Sequence, residues 1–102
     1  MLLHTVSKSP DSSDALQSCL RVALPGSYLL LIEDGVYAAA RGSLGNALLS
    51  PEKLPDAMRV FALAEDLAAR GLSDRIATGI ETVDYPGFVE LSASCHAVKS
   101  WY

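Results

Sequence analysis

No apolar run in this 102-residue chain exceeds five residues, and residues 28–32 form one such run. A membrane-crossing helix needs roughly 20 apolar residues in a row, so none is expected. No secretory leader is expected either. Met1-Leu2-Leu3 gives way at once to His4, Thr5, Ser7 and Lys8, with no sustained apolar stretch between. The expected location is the cytoplasm. Positive charge is scarce as well, with 8 Lys and Arg against 12 Asp and Glu and a formal net charge of -4. No two basic residues are adjacent. Neutralising phosphates requires clustered cations, so direct nucleic-acid binding is not expected. Cysteine is limited to Cys19 and Cys95. In a reducing compartment these are expected as free thiols.

Several chemical signatures are missing. There is no G-x-G-x-x-G, no phosphate-binding G-x-x-x-x-G-K, no H-E-x-x-H and no G-x-S-x-G. The lone G-x-x-G, Gly42-Ser43-Leu44-Gly45, has no neighbouring lysine. His4, Cys19, Cys95 and His96 are four possible metal ligands, but none of them stands in C-x-x-C or H-x-x-x-H spacing. Neither a metal nor a cofactor is expected.

Half of the residues are hydrophobic, enough for one modest core, and the length fits one domain over residues 1–102. A domain of this size buries only about 60–65% of its unfolded surface, so association with other chains could add burial. Short apolar runs alternate with helical ones. Residues 2–6 read as a first strand. Asp11, Ser12 and Ser13 are possible caps for a helix over residues 14–24, where Ala15, Leu16, Cys19, Leu20, Ala23 and Leu24 fall at helical spacing. Pro25-Gly26 stops it. The run at residues 28–32 fits a strand covered on both faces, as in a parallel sheet. Glu33-Asp34-Gly35 resembles a hairpin turn, but the Ala-rich residues 36–41 that follow favour a strand-to-helix turn. Residues 42–49 read as loop or short helix, and Ser50 with Pro51 starts another turn of helix. Residues 58–63 are the third strand. Residues 65–70 form a short helix with Gly71 just beyond it, and Ser73 is placed to cap a further turn. Residues 80–83 are the fourth strand, Pro86 opens a helix running to about Cys95, and residues 97–101 form a fifth strand at an edge. The expected fold is α/β, a layered sandwich with a mostly parallel, roughly five-stranded sheet flanked by helices.

Cys19 is the first candidate for chemistry, because a thiolate can take up sulfur and hold it as a persulfide. That needs exposure and a lowered pKa. Mid-helix placement between Ala15 and Ala23 favours a buried thiol instead. Cys95 and His96 are sequence neighbours on a helix and do not face each other, so they form no dyad. His4 reads either as a proton shuttle or as a hydrogen-bonded strand residue. Glu33 and Asp34 follow a parallel strand, where ligands of open α/β sheets gather, although acids there also suit a helix N-terminus. Trp101 and Tyr102 are hard to bury in one small domain and are candidates for subunit contact.

Together, several stretches resemble the TusB/DsrH family. They are Leu3-His4-Thr5-Val6 with Lys8-Ser9-Pro10; Leu29-Leu30-Leu31-Ile32-Glu33-Asp34-Gly35-Val36-Tyr37-Ala38-Ala39; Val60-Phe61-Ala62-Leu63 with Glu65-Asp66-Leu67-Ala68-Ala69-Arg70-Gly71-Leu72; Asp84-Tyr85 with Gly87-Phe88-Val89; and Ser100-Trp101-Tyr102. Residues 41–56 resemble the family least. The resemblance implies a DsrE-like fold and assembly with TusC/DsrF-like and TusD/DsrE-like subunits into a dimer of heterotrimers. It also implies transfer of persulfide sulfur to a TusE/DsrC-like acceptor. In one branch of the family the sulfur reaches 2-thiouridine at the tRNA wobble position. In the other it serves dissimilatory sulfur oxidation. The principal sulfur-carrying cysteine is implied on the TusD/DsrE-like subunit, while Cys19 falls where DsrH-type members carry a helix cysteine. The expectation is an accessory subunit of a sulfurtransferase complex serving tRNA wobble-uridine 2-thiolation, with dissimilatory sulfur oxidation as the alternative. The rival readings are Cys19 as a direct carrier and a stand-alone ligand-binding domain using Glu33 and Asp34.

Overall fold

A computed structural model describes residues 1–102. Strand β1 (Leu2–Val6) leads through a polar loop into helix α1 (Ala15–Val22). Of the expected caps, Ser13 does the work: its Oγ accepts from the Ala15 N–H at 3.1 Å, while Asp14 in the cap position accepts nothing through its side chain. Ala15, Leu16 and Cys19 are the buried face of α1. Gly26, at φ +80°, turns the chain into β2 (Tyr28–Leu31).

The helix expected from residue 36 starts earlier and is of another kind. A 3-10 helix runs from Glu33 to Ala39, longer than the usual one-turn piece. The close approach of this segment to β1 accounts for it. The Ile32 N–H donates to the Val6 carbonyl at 3.0 Å. Gly35 lies so near Val6 that a side chain there would collide with its backbone. The small Ala38 and Ala39 are fully buried beyond it.

The ambiguous stretch at residues 42–49 contains a short helix, α2 (Leu44–Ala47), whose cap Ser43 accepts from the Asn46 N–H. A 3-10 turn at Pro51–Lys53 follows. Ser50 stands in its cap position, but its buried Oγ has no hydrogen-bond partner. Then come β3 (Arg59–Leu63) and α3 (Ala64–Ala69). At Ser73 the chain makes a single hydrogen-bonded turn, the Arg75 N–H donating to the Leu72 carbonyl at 2.9 Å, and no helix follows it. The nearby backbone is used in a bridge instead: Ile76 pairs with Ala40, the Arg41 N–H donates to the Arg75 carbonyl, and the Ala77 N–H donates to the Ala39 carbonyl. Strand β4 (Ile80–Val83) leads to α4 (Tyr85–Ser94), capped by Asp84, whose Oδ1 accepts from the Gly87 N–H at 2.8 Å. Strand β5 (Ala97–Trp101) ends the fold.

All five strands are parallel, in the order β4-β3-β2-β1-β5. The first three crossovers step one way across the sheet and the last returns over its full width. Right-handed connections therefore put α4 on the opposite face from α1 and α3. The core follows this division. A cluster of 14 buried residues, including Leu16, Cys19, Leu31 and Leu67, fills the first face. Leu3, Leu30 and Phe61 form a small cluster on the other, with Phe88, Leu91 and Cys95 packed against it. No residue of α4 is fully buried. Part of that thinly covered face is roofed by Arg59, which holds Glu81 through Nε and Nη2 at 2.9 and 2.7 Å and lies 4.9 Å from the Phe61 ring centre. The same pairing holds the Glu81 carboxyl below its ordinary pKa. Covering both faces explains why residues 29–31 are uniformly leucine and wholly buried. No helix is long and apolar enough to cross a membrane.

Candidate functional site

The loops at the carboxyl ends of β2, β3 and β4 bring together residues distant in sequence. Asp66 accepts from the Glu33 N–H through Oδ2 at 2.6 Å. Arg70 donates to Asp34 Oδ1 from Nε at 3.0 Å and from Nη2 at 2.9 Å, and to the Asp66 carbonyl from Nη1 at 3.2 Å. Glu65 accepts from the Tyr85 N–H through Oε2 at 3.0 Å. Glu33 and Asp34 are thus part of an acidic rim with Glu65, Asp66 and Asp84, and Arg70 stands among them. Glu33 adopts φ +49°, which side-chain-bearing residues seldom take. Its backbone is pinned there by Asp66. Reading the sequence singled out Glu33 and Asp34 as a pair. It missed Arg70, whose bond to Asp34 orients that carboxylate. This pair is solvent-exposed on the acid's side, so its value is positional; such pairs contribute about 0–1 kcal/mol.

The two terminal aromatics part company. Trp101 is turned inward, its Nε1–H donating to His4 Nδ1 at 3.1 Å, with Lys99 Nζ 4.8 Å from its ring. Tyr102 is exposed. His4 is buried beside Trp101, and burial first, then the charge of Lys99, lowers its pKa. Indole N–H is only a donor, so Nδ1 must offer its lone pair and the imidazole carries its proton on Nε2. That makes His4 a neutral strand residue held by Trp101.

Cys19 is fully buried in the centre of the larger cluster. Burial pushes its thiol up to about 12, partly opposed by Lys99. In this conformation it is a neutral thiol out of contact with solvent, whereas sulfur uptake requires an accessible thiolate. Cys95 is half-buried and packs on the opposite face of the sheet, so the two cysteines cannot pair within the chain. Nowhere do three His, Cys, Asp or Glu side chains gather as a metal site, and His4, Cys19, Cys95 and His96 do not converge on one.

The buried thiol makes stability depend on alkaline pH. The folded pKa is raised, so the contribution is complete below the unfolded thiol's pKa of about 8.5 and is lost as pH rises toward the folded value. Between about pH 8 and pH 10, urea melts should lose roughly 2 kcal/mol from this source. Cys19→Ala should flatten that slope. Equal slopes in the two proteins would show that the thiol ionises as freely folded as unfolded.

Comparison with known proteins places these features in a family. A family model described as "DsrH like protein" matches residues 8–98. Protein TusB of Escherichia coli (strain ED1a) is 40% identical over 100 residues, covering 98% of this chain and 100% of that protein. Protein TusB of Enterobacter sp. (strain 638) is 39% identical over the same length, with the same coverage. Among solved structures, the ychN protein from E. coli superposes with a TM-score of 0.77 at 20% identity, covering 97% of each chain, a likeness of fold. The parallel five-stranded sheet, the family match and the full-length identity agree: this chain belongs to the TusB/DsrH family.

Proposed function

We propose that this chain is an accessory subunit of a cytoplasmic sulfur relay, building the surface on which sister subunits hand over persulfide sulfur. The sisters are TusC/DsrF-like and TusD/DsrE-like chains, in a dimer of heterotrimers, and the acceptor is TusE/DsrC-like. In each handover the acceptor thiolate attacks the terminal sulfur of a cysteine persulfide, and the donor leaves as a thiolate. Relatives named TusB at about 40% identity favour tRNA wobble-uridine 2-thiolation as the destination over sulfur oxidation.

The observation that carries this reading is the burial of Cys19 in a member of this family. A subunit whose helix thiol is sealed and protonated contributes by shielding and docking. It has surface to offer. Tyr85 and Val89 on α4, Val98 on β5 and Tyr102 are large apolar side chains left in solvent, and β5 is an open sheet edge. The acidic rim adds a charged feature with fixed orientation.

The test mixes purified chain with its TusC-like and TusD-like sisters, then incubates the assembly with a persulfide donor. Gel filtration should show one hetero-oligomer, and mass spectrometry should find added sulfur on a sister's cysteine and none on Cys19. Cys19→Ser should support transfer to the acceptor at close to the wild-type rate. A chain that stays solitary overturns the docking role. Sulfur trapped on Cys19, with transfer abolished in Cys19→Ser, would make it the carrier.

A further inference from the structure

At the end of the sheet opposite the acidic rim, the turn after α1 and the starts of β1 and β5 border an open groove of about 600 Å³. Small-molecule sites commonly span about 300–1,000 Å³. No Asp or Glu lines this one. Its charged and titratable groups are Lys99, His96, His4 and the Met1 ammonium, which donates to His96 Nδ1, and its walls include Val22, Leu24 and Pro25. Ser27 also borders it, but its hydroxyl is already used in donating to the Leu24 carbonyl at 2.7 Å.

His4 separates this groove from an ordinary surface dent. The residue is 2% exposed. Its Nδ1 is occupied by Trp101, which leaves the proton on Nε2, and that buried atom has no partner. Buried donors in native proteins are nearly always satisfied, so an orphan bordering a groove points to an acceptor supplied from outside. Lys99 gives that acceptor a reason to be anionic. Val22 and Leu24, both large hydrophobics in solvent, give it a reason to have a short apolar body.

We propose that this groove binds a small organic carboxylate. The carboxylate oxygens accept from His4 Nε2–H and from the Lys99 ammonium, and the hydrocarbon part lies along Val22, Leu24 and Pro25. The site is independent of sulfur handover and uses none of the acidic rim.

Trp101, the sole tryptophan, reports on it because it touches both His4 and Lys99. The probe is hexanoate, with hexanamide as its uncharged counterpart, added to the full-length chain. Hexanoate should change Trp101 emission saturably with a Kd in the millimolar range, and hexanamide should bind at least about tenfold more weakly. Amide resonances of Gly26 and Ser27 should shift along the same isotherm, which gives a readout that does not depend on the indole. Lys99→Gln and, separately, Leu24→Glu should each weaken hexanoate about tenfold or more. Both positions are exposed, and circular dichroism should confirm intact folds. Absence of saturation, hexanamide binding as tightly as hexanoate, or unaltered affinity in both variants overturns the proposal.

Discussion

Gly35→Ala should destabilise the fold by about 3 kcal/mol or more, the upper end of what overpacking usually costs. A Cβ at this position would lie 2.1 Å from the Val6 carbonyl oxygen and 2.9 Å from its carbon. Neither atom can swing aside as a side chain would. The Val6 oxygen also accepts from the Ile32 N–H, and Val6 is in register with both Leu31 and Trp101. Relief therefore means displacing the end of β1 from both neighbours or lifting the 3-10 helix off the sheet. Gly45→Ala is a useful contrast. Its Cβ would meet Pro10 Cγ at 2.4 Å, a ring carried on the surface loop between β1 and α1. That loop can yield, and the expected loss is about 1–2 kcal/mol. Urea unfolding of the two variants checks both values. Gly35→Ala within half a kcal/mol of wild type would mean the segment has room that its geometry denies.

Adjacent leucines on β2 should differ in what they contribute. Leu30 and Leu31 are both fully buried, yet they point to opposite faces. Leu31 belongs to the larger cluster, whose covering elements are themselves anchored by buried residues: Leu16 and Cys19 on α1, Val36 on the 3-10 helix and Leu67 on α3. A cavity there cannot collapse easily, so Leu31→Ala should lose about 4 kcal/mol. Leu30 lies with Leu3 and Phe61 under α4, a helix with no fully buried residue. That helix can settle into the space, and Leu30→Ala should lose about 2–3 kcal/mol. Equal or reversed losses would contradict the unequal anchoring of the two layers.

The strands were legible because their signal is local. β1, β4 and β5 occupy the spans expected from apolar runs between turn residues, and β3 begins one residue later than expected. The wholly apolar run of β2 announced a sheet covered on both faces. One helical expectation gave way to tertiary demands. The Ala-rich stretch after β2 has helix propensity, yet its approach to Val6 favoured the tighter 3-10 form. The single turn at Ser73 forms, and the backbone beyond it finds partners across the bridge to Ala40. The candidate site was less legible, since its links are long-range. Arg70 meets Asp34 from 36 positions away, and Trp101 meets His4 from 97. No periodicity encodes such pairs. Trp101 shows the difficulty well: its terminal position gave no hint that its indole N–H would be satisfied by His4 inside the chain, while Tyr102 faces outward.

β1 has β2 on one side and β5 on the other, and the β5 partners of Leu2 and Leu3 are Ala97 and Val98, 95 positions further along the chain. Closing so long a loop is slow relative to pairing β1 with β2. Before it closes, β1 is a sheet edge whose unpaired amides face water and whose Leu3 lacks the cover of α4. Such an edge is a template for self-association. Breakage that leaves residues 84–101 undocked would therefore bare that edge and favour self-association over a loosened monomer.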